Sequence, residues 1–224
     1  MTSSYYEESV RIGREFQAQN KSWAGYDVVK YQKCIKDLVD HYGARTILDY
    51  GCGKGLQYQE KLPYGGGAGI ELPQSQWQTF DQYLGVTVYC YDPCVPGFEQ
   101  LPADGTKFDG VICTQVLNSI PDDDMPWVRQ RLESYAERFC FIGVNFQREA
   151  KGKKSMYDPA HFRQPRTRDF FRSHYQDWQG SNLFWWWKDR PYYDAWLNDQ
   201  LNDNWQDIPN TFGGKYEYIE VNHR

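Results

Sequence analysis

The pattern of apolar and polar positions predicts a chain in which helices alternate with short buried strands. Val28, Tyr31, Ile35 and Leu38 recur at steps of three and four, which is typical of a helix, and Gly43 supplies its end. Four largely apolar runs then predict buried strands, at 46–51, 86–92, 108–116 and 139–146. Further helices are expected between them, at 54–62, 73–85 and 122–139. Such alternation indicates an α/β protein with a parallel sheet covered on both faces.

After residue 147 the pattern is weaker. It predicts a helix at 167–178, strands at 183–188 and 215–221, and a polar, aromatic excursion or lid at 190–214. We expect one domain over 1–224, divided into an N-terminal helical cover (1–43), a cofactor-binding core (44–147) and a substrate-side C-terminal elaboration (148–224).

Composition and charge narrow the class of protein. Aromatic residues make up 17 % of the chain, and such rings suit pockets for flat ligands. The net charge of −5 disfavours a general nucleic-acid binder. Residues 148–172, however, carry eight basic residues against three acidic ones, which would suit an anionic substrate if this segment is more than a solvated face.

Cysteine and histidine usage gives no reason to expect a metal. None of the six cysteines forms a C-x-x-C pair, and the chain has four histidines. The polar start does not read as a signal peptide, and no apolar run is long enough to span a bilayer. We therefore expect a cytoplasmic protein without a membrane partner, in a reducing setting.

The candidate chemistry begins with "TILDYGCGKG", a strand followed by three glycines in G-x-G-x-G spacing and preceded by Asp49. Glycines let a backbone turn sharply and approach a ligand, and a helix beginning after the loop would offer its N-terminus. An acid at this point repels phosphate. The loop therefore favours a nucleoside that carries an ammonium or sulfonium over a dinucleotide, whose fingerprint is G-x-G-x-x-G.

Here the chain resembles a known family. "ILDYGCGKG" is similar to the first motif of class I S-adenosylmethionine-dependent methyltransferases. Residues 88–124 resemble a bacterial and phage-type subgroup of that family, in which an acidic strand end is followed by "FDGVICTDVLEHIP". The resemblance extends over about residues 22–147. It implies a Rossmann-like class I methyltransferase fold, with a central, mostly parallel seven-stranded-type sheet flanked by helices.

The resemblance also implies roles for individual residues. Asp49, Gly51 and Gly53 would line the methionine end of S-adenosylmethionine, Asp92 would accept hydrogen bonds from the ribose, and Thr114 and Gln115 would lie beside the sulfonium. The full implied cofactor set is Asp49, Tyr50, Gly51, Cys52, Gly53, Gly55, Asp92, Pro93, Thr114, Gln115 and Val116. Glu71, at the end of "GAGIE", is a rival for the ribose.

The chain departs from the subgroup at the candidate base. Gln115 stands where the subgroup has an acid, and Asn118 and Ser119 stand in place of Glu-His. Methyl transfer is a one-step displacement that needs alignment more than acid–base help. If a base is needed, the candidates are His161, Asp122 and Tyr157, and candidate substrate contacts are Asn118, His161 and Arg163.

Three functions remain open at this stage. The acidic remainder of the chain and the aromatic C-terminal part favour methyl transfer from S-adenosylmethionine to a small-molecule acceptor, with S-adenosylhomocysteine as product. The basic segment 148–172 instead would suit a nucleic-acid or protein methyltransferase. Gln115, Asn118 and Ser119 would suit a non-catalytic protein that only binds the cofactor.

Overall fold

A computed structural model describes residues 4–19, 24–65, 72–144, 168–187, 205–209 and 215–221. The α-helices are α1 (Ser4–Gln19), α2 (Gln32–Tyr42), α3 (Phe80–Leu84), α4 (Met125–Tyr135) and α5 (Arg168–Tyr175). The strands are β1 (Thr46–Tyr50), β2 (Thr87–Tyr91), β3 (Phe108–Thr114), β4 (Ala136–Val144), β5 (Asn182–Trp187), β6 (Trp205–Pro209) and β7 (Lys215–Val221). Short 3₁₀ turns lie at Tyr26–Tyr31, Leu56–Tyr58, Gln74–Gln76, Leu117–Ser119 and Asp122–Asp124.

Five parallel strands form the centre of the sheet, in the order β2-β1-β3-β4-β5. At the β5 edge, β7 pairs antiparallel with β5, and β6 pairs antiparallel with β7. The strand order reverses between β1 and β3, because the chain goes from β1 outward to β2 and then returns to the other side of β1. In doubly wound sheets of this order, ligands bind at the reversal, beyond the carboxyl ends of the strands.

Two apolar layers cover the two faces of the sheet. Successive strand residues point to opposite sides, so Leu48 and Tyr50 belong to one layer and Ile47 to the other; Cys140 and Phe141 divide in the same way. The first layer is completed by α4 and α5, and the second by the 3₁₀ turn at Tyr26–Tyr31, α2 and α3. The predicted α/β class with a parallel sheet flanked by helices is therefore confirmed, and the arrangement is compatible with a Rossmann-like fold.

The expected helix end at Gly43 is confirmed. Gly43 adopts a left-handed conformation with φ of 58°, and its N–H donates to the carbonyl oxygen of Asp40 at 3.3 Å. Glycine is suited to this position because it has no Cβ to clash. The segment before α2 begins as a 3₁₀ turn, Tyr26–Tyr31, where the sequence predicts continuous helix.

The predicted helix at 54–62 is wrong. The structure has only the 3₁₀ turn Leu56–Tyr58 there, preceded by Gly55 in the left-handed region at φ of 64°. Gln57 is fully buried and donates its amide N–H to Asp49 and to the carbonyl oxygen of Cys52. These tertiary contacts, which helix propensity does not register, fix the segment against the glycine loop.

Other parts of the fold also differ from the sequence prediction. In place of one helix at 73–85, a 3₁₀ turn is followed by extended Trp77, and a capping box at Thr79 starts α3. Helix α4 ends at Tyr135, because Ala136 already pairs with β3 as the start of β4. The excursion predicted at 190–214 contains the strand β6.

No helix in the described ranges is long and apolar enough to cross a membrane.

The contact between β3 and β4 gives a test of the core. A Cβ built on Gly110 would lie 2.3 Å from the Phe139 Cζ atom. We expect Gly110→Ala to lower the free energy of unfolding by about 1–3 kcal/mol through overpacking, as measured by chemical denaturation. Phe139→Leu removes the clashing ring, so the double variant should lose less unfolding free energy than the two single variants lose in sum. A loss in the double variant that equals or exceeds this sum would contradict the packing.

Candidate ligand-binding site

A cavity of about 350 Å³ lies at the point where the strand order reverses. Its volume is within the range of small-molecule sites. Its walls come from the segments that follow β1, β2 and β3, from the start of the 3₁₀ turn before α2, and from α1. The described lining residues are Tyr6, Ser9, Val10, Ile12, Gly13, Gly25, Asp27, Tyr50, Gly51, Gly53, Asp92, Pro93, Cys94, Thr114, Gln115, Val116, Asn118, Ser119 and Ile120.

The glycine loop forms one wall and is folded onto β2. The backbone N–H groups of Gly51 and Cys52 both donate to the carbonyl oxygen of Tyr91, at 2.6 and 3.1 Å. Gly51 has φ of 90°, and a Cβ there would lie 2.0 Å from the Val116 Cγ2 atom. Only glycine therefore fits between these two loops, because any side chain would meet both a strained backbone and the valine.

Asp92 holds the loops after β1 and β2 together. One carboxylate oxygen accepts the N–H of Gly53 at 3.0 Å, and the other accepts the N–H of Cys94 at 2.9 Å. The side chain is 8 % exposed and lines the cavity. Burial raises the pKa of Asp92, and the two N–H groups act in the opposite direction. Since each carboxylate oxygen can accept a further bond, Asp92 retains acceptor capacity for a ligand.

Asp49 lies behind the glycine loop and is not among the described lining residues. One of its oxygens accepts the Tyr58 hydroxyl at 2.7 Å and the Gln57 amide at 3.2 Å, while the other is buried without a partner in the described structure. Burial raises the pKa of Asp49 to about 7, against those two hydrogen bonds and with a small contribution from the charge of Asp92. The expected contact between Asp49 and an amino group stays a prediction.

The charges around the cavity differ from those that the sequence alone suggests. Residues 51–65, which contain the glycine loop and what directly follows it, form a 3₁₀ turn and no α-helix, so they offer no α-helix N-terminus. The carboxylates among the described lining residues are Asp92, which follows β2, and Asp27, which pairs with Lys30 on the surface.

The end of β3 supplies a neighbouring wall, through Thr114, Gln115 and Val116. Gln115 is, within the described ranges, the one residue other than glycine with positive φ, at 61°. Its backbone N–H donates to the carbonyl oxygen of Gly143 at 2.7 Å, which ties the turn to β4. Strained backbone of this kind persists where surrounding contacts fix it, and it concentrates at functional sites.

Sequence reasoning missed the contribution of α1 to the cavity. It predicted a helical cover, but no signal indicated that α1 residues would line a site. The helix is held by the Arg14 side chain, which donates to the carbonyl oxygen of Pro93 at 3.0 Å, and by a 3.4 Å hydrogen bond between the hydroxyls of Tyr6 and Tyr91. These contacts join residues more than 75 positions apart, which a pattern along the chain does not register.

The remaining predicted site residues divide into three groups. Tyr50, Gly53, Pro93, Asn118 and Ser119 line the cavity with those already described. Cys52, Gly55 and Asp122 are not among the described lining residues, and Asp122 lies in the 3₁₀ turn before α4. Glu71, Tyr157, His161 and Arg163 lie outside the described residues, as does most of the basic segment 148–172. The described part of the chain contains no group of three or more His, Cys, Asp or Glu that could hold a metal ion.

Comparison with known proteins adds no assignment: neither a protein-family model nor a curated protein matches this chain.

The buried state of Asp49 gives a pH-dependent prediction. Because its pKa is raised from 3.8 to about 7, the folded state binds the proton more tightly than the unfolded chain does. Its contribution to stability is therefore present at low pH and is lost as pH rises through about 7. We expect Asp49→Asn to reduce the loss of unfolding free energy between pH 5 and pH 8 by roughly 2–3 kcal/mol. Chemical denaturation at the two pH values measures this, and an unchanged difference would contradict a buried carboxylate with a raised pKa at Asp49.

Proposed function

We propose that this protein binds S-adenosylmethionine and transfers its methyl group to a small-molecule acceptor. The observation that carries the proposal is the position of Asp92. It is a buried carboxylate with spare acceptor capacity, in a cavity walled by a glycine loop, at the reversal of a parallel sheet. Two neighbouring hydroxyls of a ribose would match its two oxygens.

The charge and the backbone of the cavity suit S-adenosylmethionine. Asp92 brings negative charge to the described lining, which favours a ligand that carries positive charge, whereas the charge of Asp27 is offset by its pairing with Lys30. The glycine loop exposes backbone at Gly51 and Gly53, where a flexible chain can approach closely. A dinucleotide or nucleoside triphosphate would bring phosphate charge to the same carboxylates. Because residues 51–65, which directly follow β1, contain a 3₁₀ turn and no α-helix, such a ligand would also find no α-helix N-terminus there and fits less well.

Two groups of lining residues, one at the ends of β1 and β2 and one at the end of β3, support methyl transfer rather than binding alone. Asp92 and the glycine loop would hold the nucleoside part on one side. Gln115, Asn118 and Ser119 lie at the end of β3, where the resemblance expects the reacting sulfur and the acceptor. S-Adenosylmethionine supplies an activated methyl group, so the contribution of this chain is alignment of the acceptor on the line of attack. Asp122 is not among the described lining residues, and the proposal assigns no general base.

Helix α1 favours a small acceptor over a macromolecular one. Its residues Ser9, Val10 and Gly13 line the cavity, together with the loops at the strand ends. A site partly covered in this way would admit a compact molecule more readily than a nucleic-acid strand. A seven-stranded sheet of methyltransferase type is part of the same proposal, and the antiparallel pairing of β7 and β6 at the β5 edge supports it.

Titration calorimetry with S-adenosylhomocysteine tests the proposal directly. We expect the wild-type protein to bind it and Asp92→Ala to bind it about ten- to a hundredfold more weakly, because charge-assisted hydrogen bonds to the ribose are lost. Asp92→Asn should lie between the two, since it keeps one acceptor oxygen.

Asp104→Ala is the matched control. That carboxylate is 86 % exposed, pairs with Arg131 and is not among the described lining residues, so its loss should leave the affinity unchanged. Thermal melts of all variants separate loss of binding from loss of folding. Equal affinity in wild type and Asp92→Ala would reject Asp92 as the ribose ligand and favour Glu71. Uptake of NAD or ATP in place of the sulfur nucleoside would reject the cofactor itself.

A further inference from the structure

The amide side chain of Gln115, a residue that lines the cavity, has hydrogen-bonding capacity that its two described bonds do not use. Its Nε2 donates to the Tyr31 hydroxyl at 2.9 Å, and its Oε1 accepts from the Asn118 amide at 3.3 Å. A glutamine amide has two N–H donors and an oxygen with two lone pairs. One N–H and one lone pair therefore remain, on a residue that lines the cavity and is partly exposed.

This count does not depend on how the two amides are oriented. If both are turned over, the Tyr31 hydroxyl donates to Oε1 and Nε2 donates to Asn118, which again leaves one N–H and one lone pair on Gln115. The edge therefore has one donor and one acceptor in either arrangement.

The position of this amide is set by one contact at its backbone and one at its side chain. The backbone of Gln115 is held at φ of 61° by the bond from its N–H to the carbonyl oxygen of Gly143. Tyr31, which holds the side chain, is 2 % exposed and packs against Phe141 with ring centroids 5.4 Å apart. A rigid donor–acceptor edge costs little ordering entropy on binding, which is what a specific recognition element needs.

We propose that Gln115 recognises a donor–acceptor edge on the methyl acceptor, as found in a lactam, a carboxamide or a nucleobase. This inference rests on the proposed function. Such a group pairs its own N–H with the free lone pair and its carbonyl oxygen with the free N–H, in the way that Gln pairs with a base edge. A carboxylate, which is the form of a carboxylic acid at pH 7, has no hydrogen to donate to the free lone pair, and an alkyl amine has no carbonyl oxygen. Gln115 is a binding residue in this proposal and takes no proton.

The probe pair is 2-pyridone, a cyclic lactam, and N-methyl-2-pyridone, in which a methyl group replaces the hydrogen of the N–H and removes the donor. Each is titrated into ¹⁵N-labelled protein with and without saturating S-adenosylhomocysteine, while the side-chain amide signals of Gln115 and Asn118 are followed by NMR. We expect 2-pyridone to shift these signals and to bind about tenfold more tightly than its N-methyl analogue, since one hydrogen bond separates the two complexes.

Gln115→Met should abolish this difference in affinity between the two pyridones. Gln59→Met is the matched control, because Gln59 is exposed, bonds the carbonyl oxygen of Lys54 and should leave the difference intact.

A short oligothymidylate forms a second arm, because thymine carries the same edge in a polymer. If 2-pyridone shifts the amide signals of Gln115, the ligand is a free small molecule. If only the oligonucleotide shifts them, the ligand is a base within a strand. Either result supports recognition by the donor–acceptor edge. Equal binding of the two pyridones, selectivity that survives in Gln115→Met, or no shift of Gln115 by any probe overturns the inference. Failure of S-adenosylhomocysteine to bind, with pyridone selectivity intact, would reject the proposed function while leaving the edge.

Discussion

The shape of the candidate site depends on one buried carboxylate that joins two loops. Asp92 accepts an N–H from the glycine loop through Gly53 and an N–H from its own loop through Cys94. Tyr91, the residue before it, accepts two more N–H groups from the glycine loop through its carbonyl oxygen. Because these bonds join the ends of β1 and β2, the opening at the sheet reversal has a fixed outline before any ligand enters. The charge that would hold the ligand is thus the same charge that shapes its cavity.

The wall at the end of β3 is built by a different means. There the backbone is strained at Gln115, and the turn is held by a bond to β4 and by the buried Tyr31. One wall therefore consists of glycine backbone held by a charge, and its neighbour of a polar side chain held by neutral hydrogen bonds. In the proposed function, the first wall would hold the methyl donor and the second would select the acceptor.

The parts of the fold that the sequence predicts well are those with local patterns. The apolar runs of β1, β3 and β4 need no partner to be recognised, and the helix stop at Gly43 is a local steric requirement. The errors come from tertiary contacts. Gln57 lies in a segment with helical character, yet it is buried beside Asp49, and the predicted helix gives way to a single turn. The site follows the same rule: Gly51, Asp92 and Gln115 have motif signals, whereas the residues of α1 reach the cavity through contacts across the chain that no spacing encodes.

The attachment of α1 has a consequence for the kinetics of ligand exchange. The hydrogen bonds described for this helix join it to β2 and the loop that follows, through Arg14, Tyr6 and Cys94, and the Tyr6 ring also packs against Trp127 of α4. Helix α2, in contrast, contributes five buried side chains to an apolar layer or to its edge. Local opening of α1 would cost less than unfolding of the sheet. The residence time of a ligand in the cavity would then depend in part on the contacts of α1, and it could change without any alteration of the groups that bind the ligand.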